Sequence, residues 1–324
     1  MKTQNITGII LLIILSFSTS ACKKEPGILP TVTTYIPKYI ASTSAIVGVT
    51  VDNDGDQGFI CGIYMGDSQN PETTGAQFQI ADQAGTFLGQ ITGLTPGTEY
   101  FVKAFVKNSD AEKLGEEASF TTPDIISDYD NNDYETLIIQ DQVWMASNLM
   151  TTHYMNGDLI DTTDPSTLDI SGEDSPKYQW SYEGEEANTA VYGKLYSYYT
   201  VSDTREVCPD GWHVPEDSEW TILETTLGGN DIGGSLLKEA GNVHWIAPYN
   251  LDATNESLFT ALPGGYRNNT GEFAHLENYG YWWSSTESDA ANAWLRALYV
   301  ESTQILRDNT PKSNGASVRC IQDQ

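Results

Sequence analysis

Apolar and polar residues alternate along several short runs between residues 31 and 123. The clearest runs are SAIVGVTVD, FQIADQAGTFLGQI and TEYFVKAFVKN, and clusters rich in Gly, Asp, Asn and Pro separate them. Because successive side chains of a strand point to opposite faces, this period of two predicts half-buried β-strands. Several short strands joined by tight turns within this length predict an all-β sandwich over residues 31–123.

The pattern changes after residues 124–133, an acidic stretch without hydrophobic periodicity that we interpret as a linker. Beyond the linker, strand-like runs such as ETLIIQDQVWMASNL mix with two helix-like segments. One helix is predicted over residues 192–201, and another begins at Asp217 or Ser218, whose side chains suit an N-cap, and ends at a Gly-Gly pair. Strands and helices mixed within one region predict an α+β domain over residues 134–324.

The N-terminal segment carries an apolar run, ITGIILLIILSF, over residues 6–17. A bilayer span needs about 20 apolar residues, so this run suits a secretory signal instead. The following TSAC is similar to a bacterial lipobox, which predicts a signal peptide over residues 1–22, lipidation of Cys22 and a tether over residues 23–30. The alternative is ordinary cleavage near Ala21, which leaves Cys22 as a spare thiol. With lipidation, the protein is exported and its partner is a lipid bilayer, at the outer membrane or the cell surface.

The chain is strongly acidic, with 45 Asp and Glu residues against 16 Lys and Arg and a formal net charge of -29 at pH 7. Nucleic-acid binding gains its affinity from basic groups that neutralise phosphates, so this composition excludes a nucleic-acid partner. A surface of this charge is also repelled by anionic lipid. Aromatic residues make up 11% of the chain, which is typical of a folded protein rather than a disordered one.

Three cysteines follow Cys22 along the chain, namely Cys61, Cys208 and Cys320. Cys208 and Cys320 open and close one long segment, so export to an oxidising compartment predicts a disulfide between them. Closing a loop of about 100 residues stabilises a fold by up to ~4–5 kcal/mol in the chain-entropy model. Cys61 lies in the apolar run GFICGIYMG and is predicted to be a buried free thiol.

The densest chemistry lies in CPDGWHVPEDSEW, residues 208–220, which holds a thiol, an imidazole and several carboxylates. A metal or catalytic site is one interpretation, but zinc sites use several Cys or His ligands at short spacing, and His213 stands alone. The other interpretation is scaffold: a turn, a short strand that ends at Pro215, and a helix whose positive end carries acidic side chains. We favour scaffold, and we predict no metal ligands, no catalytic residues and no cofactor.

Two acidic runs, DNDGD at residues 52–56 and the linker at residues 124–133, have calcium binding as an alternative. Neither has the full pattern of an EF-hand loop. Asp and Asn are also common turn formers, so we interpret both runs as turns.

The end of the predicted sandwich reads LTPGTEYFVKAFV, with a Pro-Gly turn followed by the alternating residues Tyr100, Val102 and Ala104. In this respect it resembles a fibronectin type III module. Tyr100 stands where such sandwiches place a corner tyrosine, whose hydroxyl bonds to backbone groups. The resemblance implies a module that spaces or presents another domain.

Five stretches of the second region form an ordered set: YETLIIQDQVWMASNL, VCPDGWHVPEDSEWTILETTLGG, ATNESLFTALPGGYRNNTGEF, YGYWWSSTE and ASVRCIQD. In these stretches the region resembles the Fibrobacter succinogenes major paralogous domain, a family common among exported bacterial lipoproteins. The resemblance implies a fold of the C-type-lectin-like group, which includes the formylglycine-generating enzymes. Those enzymes use a close pair of cysteines near the C-terminus, where this chain has Cys320 alone. The calcium-binding triplets of sugar-binding lectins are not evident either, so neither chemistry is expected here.

These observations favour a non-catalytic exported lipoprotein that acts in binding or adhesion at the cell envelope and presents a lectin-like domain to glycans or surface proteins. Exposed aromatic rings stack on sugars, while Arg and Asn side chains place hydrogen bonds. The alternatives are an extracellular polysaccharide-active enzyme and a structural component of an envelope or surface assembly. For the binding role, the candidate ligand-binding residues are Tyr266, Arg267, Asn268, Glu272, Tyr281 and Trp282.

Overall fold

The computed structural model describes residues 28–55, 58–250 and 252–324. The predicted lipidation residue Cys22, the rest of the predicted signal peptide and most of the predicted tether lie outside the described residues. Within the described part of the chain, no helix has both the length and the apolar character needed to cross a lipid bilayer. The fold is mostly β-sheet with few helices.

The first part of the chain is an antiparallel β-sandwich. Its elements are β1 (Val32–Tyr35), β2 (Tyr39–Ala41), β3 (Ser44–Val51), β4 (Ile60–Gly66), α1 (Pro71–Thr74), β5 (Ala76–Ala81), β6 (Gly85–Thr92), β7 (Glu99–Lys107) and β8 (Glu112–Thr121). One sheet contains β1, β3, β2 and β6, and the other has the order β5-β4-β7-β8. Apolar side chains from both sheets, among them Val47, Ile63 and Val102, share one buried core. The alternating runs therefore form strands, as their period predicts, but β3 is buried on both faces, because Val47 lies in this core and Ile46 in a second buried cluster.

Two individual side chains of the sandwich have the environments expected of them. Cys61 is buried and free. The Tyr100 hydroxyl accepts a hydrogen bond from the backbone N–H of Thr95 (3.0 Å), which is the kind of contact a corner tyrosine makes.

The second part of the chain combines short strands with helices. Its first elements are β9 (Ile126–Ser127), β10 (Asp133–Tyr134), β11 (Thr136–Ile139), β12 (Gln142–Met145), β13 (Gln179–Trp180), a 3₁₀ turn (Tyr182–Gly184), α2 (Glu186–Tyr192), β14 (Leu195–Ser197) and α3 (Tyr198–Val201). The remaining elements are β15 (Trp212–His213), α4 (Asp217–Thr226), α5 (Asn230–Leu237), β16 (Gly264–Arg267), β17 (Phe273–Leu276), β18 (Tyr279–Glu287), β19 (Asn292–Tyr299), β20 (Ile305–Pro311), β21 (Gly315–Ser317) and β22 (Ile321–Gln322). Its main sheet has the order β13-β14-β21-β16-β18-β19-β20, and β17 pairs with β16.

The prediction of a single helix over residues 192–201 is wrong. The helix α2 ends at Tyr192, because Gly193 follows with a φ of 75°, in the left-handed region that favours glycine. The chain then pairs with β21 as strand β14, and a single helical turn, α3, follows β14 directly. Pairing with a distant strand has overridden the local helical pattern.

The second predicted helix is present as α4, but its N-cap is Glu216 rather than Asp217 or Ser218. The Glu219 carboxylate accepts a hydrogen bond from the backbone N–H of Glu216 (2.8 Å), as in a capping box. Asp217 is thereby free to bond elsewhere.

The two parts of the chain are joined by a shared sheet. Strand β2 of the sandwich pairs with β11, and the sheet continues through β12, β22 and β15. Ile40 lies opposite Ile138 in this register, and the backbone N–H of Ser42 donates to the carbonyl of Thr136 (2.8 Å). Side chains of both parts also share the buried cluster that contains Trp144. The sandwich and the second part are therefore continuous through hydrogen-bonded strands.

The acidic stretch at residues 124–133 contains the small hairpin of β9 and β10. The Asp128 carboxylate accepts hydrogen bonds from the backbone N–H groups of Asp130 (2.9 Å) and Asn132 (3.0 Å) and from the Tyr134 hydroxyl (2.6 Å). These contacts are those of a carboxylate that holds a turn, in keeping with the turn interpretation.

A disulfide joins Cys208 to Cys320, whose Cα atoms are 6.0 Å apart and which are separated by 112 positions in sequence. Both residues lie in a buried apolar cluster of the second part. Cys208 precedes β15 and Cys320 precedes β22, and these two strands pair with each other. The disulfide therefore ties the start of the α4 region to the last strand of the chain.

Candidate functional site

An open cleft of about 270 Å³ lies against the main sheet of the second part. Strands β16 to β21 and the turns after β16 and before β21 form its walls. The lining residues are Tyr266, Asn268, Asn269, His275, Tyr281, Leu295, Asp308, Asn309, Thr310, Pro311, Asn314, Gly315 and Ala316. We call this site the tyrosine cleft.

Strand alternation decides which side chains reach the tyrosine cleft. On β16, Tyr266 is half-buried and faces the cleft, while its neighbour Arg267 is fully buried on the other side of the sheet. On β18, Tyr281 faces the cleft, while Trp282 is only 1% exposed and lies in the core. Because side chains alternate along a strand, adjacent residues cannot both line the same face.

Aromatic rings form a continuous row beside the cleft. The Tyr266 ring centroid lies 5.4 Å from that of Tyr281 and 5.2 Å from that of His275. Tyr279 stacks on Tyr281 (5.5 Å) and also on Tyr299 (4.5 Å). Burial raises the pKa of Tyr281, and the neighbouring Tyr279 and Tyr266 raise it further. The Tyr281 hydroxyl, 2.8 Å from His275 Nδ1, therefore stays protonated at neutral pH.

The polar side chains of the cleft fall into two groups. The amides of Asn268 and Asn314 hold the walls: Asn268 Oδ1 accepts from the backbone N–H of Glu272 (2.9 Å), and Asn314 Nδ2 donates to the Thr310 hydroxyl (2.7 Å). By contrast, the Asp308 carboxylate accepts a hydrogen bond from the backbone N–H of Asn309 (2.8 Å) and has no ion-pair partner among the described residues. The cleft thus combines walls that are already fixed with a polar group free for a ligand.

The structure does not bring all six sequence-predicted ligand residues together. Tyr266, Asn268 and Tyr281 line the cleft, whereas Glu272 lies on the exposed turn beside it, where its carboxylate accepts a hydrogen bond from Asn268 Nδ2 (3.1 Å).

Arg267, which the sequence predicts as a ligand-binding residue, is a scaffold residue instead. Its guanidinium donates to the backbone carbonyls of Ser166 (2.9 Å), Asn268 (2.9 Å) and Leu168 (2.5 Å) and stacks on Trp180 at 4.3 Å. Burial lowers the pKa of Arg267 to about 10, so the group is still a cation at neutral pH. Arg267 therefore holds the acidic loop behind the sheet instead of reaching a ligand.

Trp282, also predicted as a ligand-binding residue, is likewise a scaffold residue. Its indole Nε1 donates to Asn148 Oδ1 (2.8 Å) in the core, and the Asn148 amide donates in turn to the carbonyl of Tyr192 (2.8 Å). The buried guanidinium of Arg319 also donates to Asn148 Oδ1 (3.2 Å). Asn148 therefore connects β18 with the segment that follows β12 and the segment that precedes β22.

The sequence interpretation missed several residues that the structure places at the cleft. They are His275, Tyr279 and Tyr299 in the aromatic row and Asp308, Asn309, Thr310 and Asn314 on the wall. The period of two in YGYWW places Tyr279 on the same strand face as Tyr281, so the sequence contained that signal. No local signal brings β20 alongside, because its pairing with β19 is a tertiary contact.

The dense motif at residues 208–220 lies away from the cleft. His213 sits between two carboxylates, with Nδ1 2.6 Å from Asp323 and Nε2 2.9 Å from Glu219. Burial lowers the pKa of His213, but hydrogen bonds to Asp323 and Glu219 outweigh it, and the net pKa is raised. The imidazole thus connects the start of α4 to the C-terminal residues.

Asp217, in the same motif, pairs with two arginines. Arg296 Nη1 lies 2.7 Å and Arg307 Nε 2.9 Å from Asp217 Oδ1. Burial raises the pKa of Asp217, but hydrogen bonds from Arg307 and Arg296 outweigh it, and the net pKa is lowered. Across residues 28–55, 58–250 and 252–324, no three His, Cys, Asp or Glu side chains form a group that could hold a metal ion.

No curated protein matches the chain. Among solved structures, the sensor domain of the anti-sigma factor RsgI4 from Pseudobacteroides cellulosolvens is 19% identical, with 30% of this chain and 76% of that chain covered and a TM-score of 0.24. The third fibronectin III domain of the human KIAA0343 protein is 21% identical, with 33% of this chain and 94% of that chain covered and a TM-score of 0.22. TM-scores at this level support no inference about this protein.

The family comparison covers more of the chain. The Fibrobacter succinogenes major domain matches residues 138–322, which is more than half of the whole chain. The matched span contains both disulfide cysteines, the α4 motif and every residue that lines the tyrosine cleft. The chain therefore belongs to the Fibrobacter succinogenes major domain family.

Proposed function

We propose that this protein is an exported, lipid-anchored protein of the cell envelope that binds glycans in the tyrosine cleft without catalysis. The observation that carries the proposal is the cleft itself, where aromatic rings and polar groups converge in one open site. Adhesion is the biological role that such binding would serve when the glycan belongs to another surface.

The chemistry of the cleft suits a sugar. A pyranose ring has an apolar C–H face and a rim of hydroxyl groups, and aromatic side chains with a polar tip complement both. The rings of Tyr266 and Tyr281 offer the apolar contact, and His275 Nδ1 holds the Tyr281 hydroxyl (2.8 Å). The Asp308 carboxylate and the Thr310 hydroxyl supply acceptors and a donor along the opposite wall.

The same lining favours binding over hydrolysis. Glycoside hydrolases generally place two carboxylates across the scissile bond, about 5–10 Å apart. Asp308 is the one carboxylate among the residues that line the cleft. A polysaccharide-active enzyme therefore has less support than a binding protein, and no observation favours a structural coat subunit.

Export and anchoring are supported by the sequence and by the disulfide. The apolar run at residues 6–17 and the TSAC that ends at Cys22 suit a lipoprotein signal. A disulfide such as Cys208–Cys320 is typical of proteins that fold outside the reducing cytosol. Metabolic labelling with a fatty acid tests the anchor: the wild-type chain should incorporate label, and Cys22→Ala should not. Label retained by Cys22→Ala would contradict lipidation at this residue.

We also propose a fibronectin type III-like sandwich and a C-type-lectin-like second domain. The corner contact of Tyr100 supports the first, and the second is supported by the pairing of β12 near the start of the domain with β22 at its end. An experimental structure tests both, because each domain should superpose on the core strands of its group. A different strand order in either core would contradict the proposal for that domain.

Glycan-array binding by the full chain tests the function. Tyr281→Ala and Tyr266→Ala remove the proposed stacking surface, so each should weaken binding about tenfold, equivalent to ~1.4 kcal/mol. Tyr129→Ala is the matched control, because Tyr129 is 48% exposed and is not part of the cleft. Thermal unfolding of each variant should be measured alongside, to separate lost binding from lost folding.

Two outcomes would contradict the glycan proposal. One is the absence of any retained glycan for the wild-type chain, with or without divalent cations. The other is binding that Tyr129→Ala reduces as much as the two cleft variants do, because that result would place the ligand elsewhere.

A further inference from the structure

One wall of the tyrosine cleft carries a carboxylate, that of Asp308. The ligand selectivity inferred from it rests on the proposed function of the cleft as a glycan site. Strand β20 alternates between two faces. Arg307 turns to one face, where it pairs with Asp217 (2.9 Å) and lies 3.4 Å from the ring centroid of Trp294. Asp308 turns to the other face and lines the cleft, close enough to Tyr281 for its charge to affect that hydroxyl.

Asp308 differs from the neighbouring carboxylates in having no cation beside it. Its Oδ1 accepts a hydrogen bond from the backbone N–H of Asn309 (2.8 Å), and no ion pair is formed within the described part of the chain. By contrast, Asp217 pairs with two arginines, and Glu287 pairs with Lys312 (2.8 Å). The exposed Asp308 carboxylate is therefore available to a charge on the ligand.

The cleft also lacks a basic side chain that would attract an anion. None of the residues that line it is Lys or Arg. The basic groups nearby are used elsewhere: Arg267 bonds to backbone carbonyls behind the sheet, and Lys312 bonds to the carbonyl of Ala290 (3.0 Å) and to Glu287. Besides Asp308 and the tyrosines, the lining contains one further titratable side chain, that of His275. In a chain of net charge -29, the site lies in a field that disfavours anions.

We propose that the tyrosine cleft selects glycans that carry a free amino group, such as glucosamine polymers, and rejects uronate and sulfated glycans. The sugar ring stacks on Tyr281 and Tyr266, and the protonated amine pairs with Asp308. An exposed ion pair of this kind strengthens binding about threefold to fivefold, and a like charge in the same position weakens it by a similar factor.

Three hexasaccharides distinguish the charges while keeping the ligand size constant. They are hexamers of glucosamine, N-acetylglucosamine and galacturonate, titrated against the full chain at one pH at which the sugar amine is protonated. The glucosamine hexamer should bind about threefold to fivefold more tightly than the N-acetylglucosamine hexamer. The galacturonate hexamer should bind most weakly.

The variant Asp308→Asn keeps the size of the side chain and removes its charge. It should abolish the preference for the amine and strengthen binding of the galacturonate hexamer. Asp210→Asn is the matched control, because it makes the same change of net charge at an exposed turn outside the cleft, and it should leave the preference intact.

Each possible result of the hexamer titrations supports or contradicts the inferred selectivity. If the N-acetylglucosamine hexamer binds but no amine preference appears, or if the preference survives in Asp308→Asn, the selectivity is wrong while glycan binding stands. If none of the three hexamers binds, the selectivity is also wrong, and the glycan array decides the proposed function separately.

Discussion

The start of α4 and the tyrosine cleft are both rich in polar side chains, but they use them differently. At the start of α4 the charged groups have partners: His213 lies between two carboxylates, and Asp217 lies between two arginines. In the cleft, the Asp308 carboxylate has no ion-pair partner, as far as the described residues extend. Dense polar chemistry in the sequence therefore marks scaffold here, and an unpaired carboxylate beside aromatic rings marks the candidate site.

The largest effect should come from the disulfide that closes the scaffold. Replacing Cys208 and Cys320 together by Ala removes a cross-link between residues 112 positions apart, which should lower the free energy of unfolding by ~4–5 kcal/mol in the chain-entropy model. Urea unfolding measures this loss. Cys61→Ala, which removes a buried thiol without a cross-link, should cost only about 1 kcal/mol. Equal losses in the two variants would show that the cross-link contributes nothing.

The next largest effect should come from Arg267, which belongs to the scaffold although it adjoins a cleft tyrosine. Arg267→Met removes a buried guanidinium that donates to three backbone carbonyls and should cost roughly 2–4 kcal/mol of unfolding free energy. Arg307→Met is the matched control, because Arg307 is 43% exposed and its ion pair should contribute less than about 1 kcal/mol. If the Arg267→Met protein is stable but has lost glycan binding, Arg267 is a ligand-binding residue and not a scaffold residue.

A smaller effect should appear as a pH dependence at His213. Because the folded-state pKa is raised, protonated His213 stabilises the fold below its unfolded pKa of about 6.5, and this contribution is lost as pH rises through the raised value. The side chain is 38% exposed, so solvent screening limits the contribution to at most about 1 kcal/mol.

Unfolding of wild type and His213→Gln at about pH 5.5 and about pH 8 measures the His213 contribution. The stability difference between the two proteins should be larger at the lower pH. A difference that grows with pH would reverse the assigned sign.

The smallest effect should separate a polar cleft residue from a polar scaffold residue. Asp308→Ala should weaken binding of amine-bearing glycans about threefold while changing stability by no more than about 0.5 kcal/mol, because its carboxylate has no ion-pair partner to lose among the residues that the structure describes. Asn292→Ala should do the opposite, since the Asn292 amide bonds both oxygens of Asp289 (3.1 and 3.0 Å) in a turn. If the two variants behave alike in both assays, the distinction between scaffold and site fails.

Much of the secondary structure was predictable, and the candidate site was predictable only in part. The period of two correctly indicates the sandwich strands, and the acidic cap-like start correctly indicates α4, although its N-cap lies one residue before the predicted Asp217, because both signals are local. Of the six predicted ligand residues, Arg267 and Trp282 fail because each is the neighbour of a cleft residue on the same strand. Applying the alternation within YRN and YWW would have excluded both.

The sequence by itself determined the strands of the sandwich, the helix α4 and the two cysteines that pair, because periodicity, caps and cysteine placement are properties of the chain. Only the tertiary structure decided that β2 pairs with β11 across the two parts, and that β20 brings Asp308 opposite Tyr281. The physical reason is that strand pairing joins residues far apart in sequence, and its register depends on which apolar faces are buried together. A site built between strands therefore exists only after the sheet has formed.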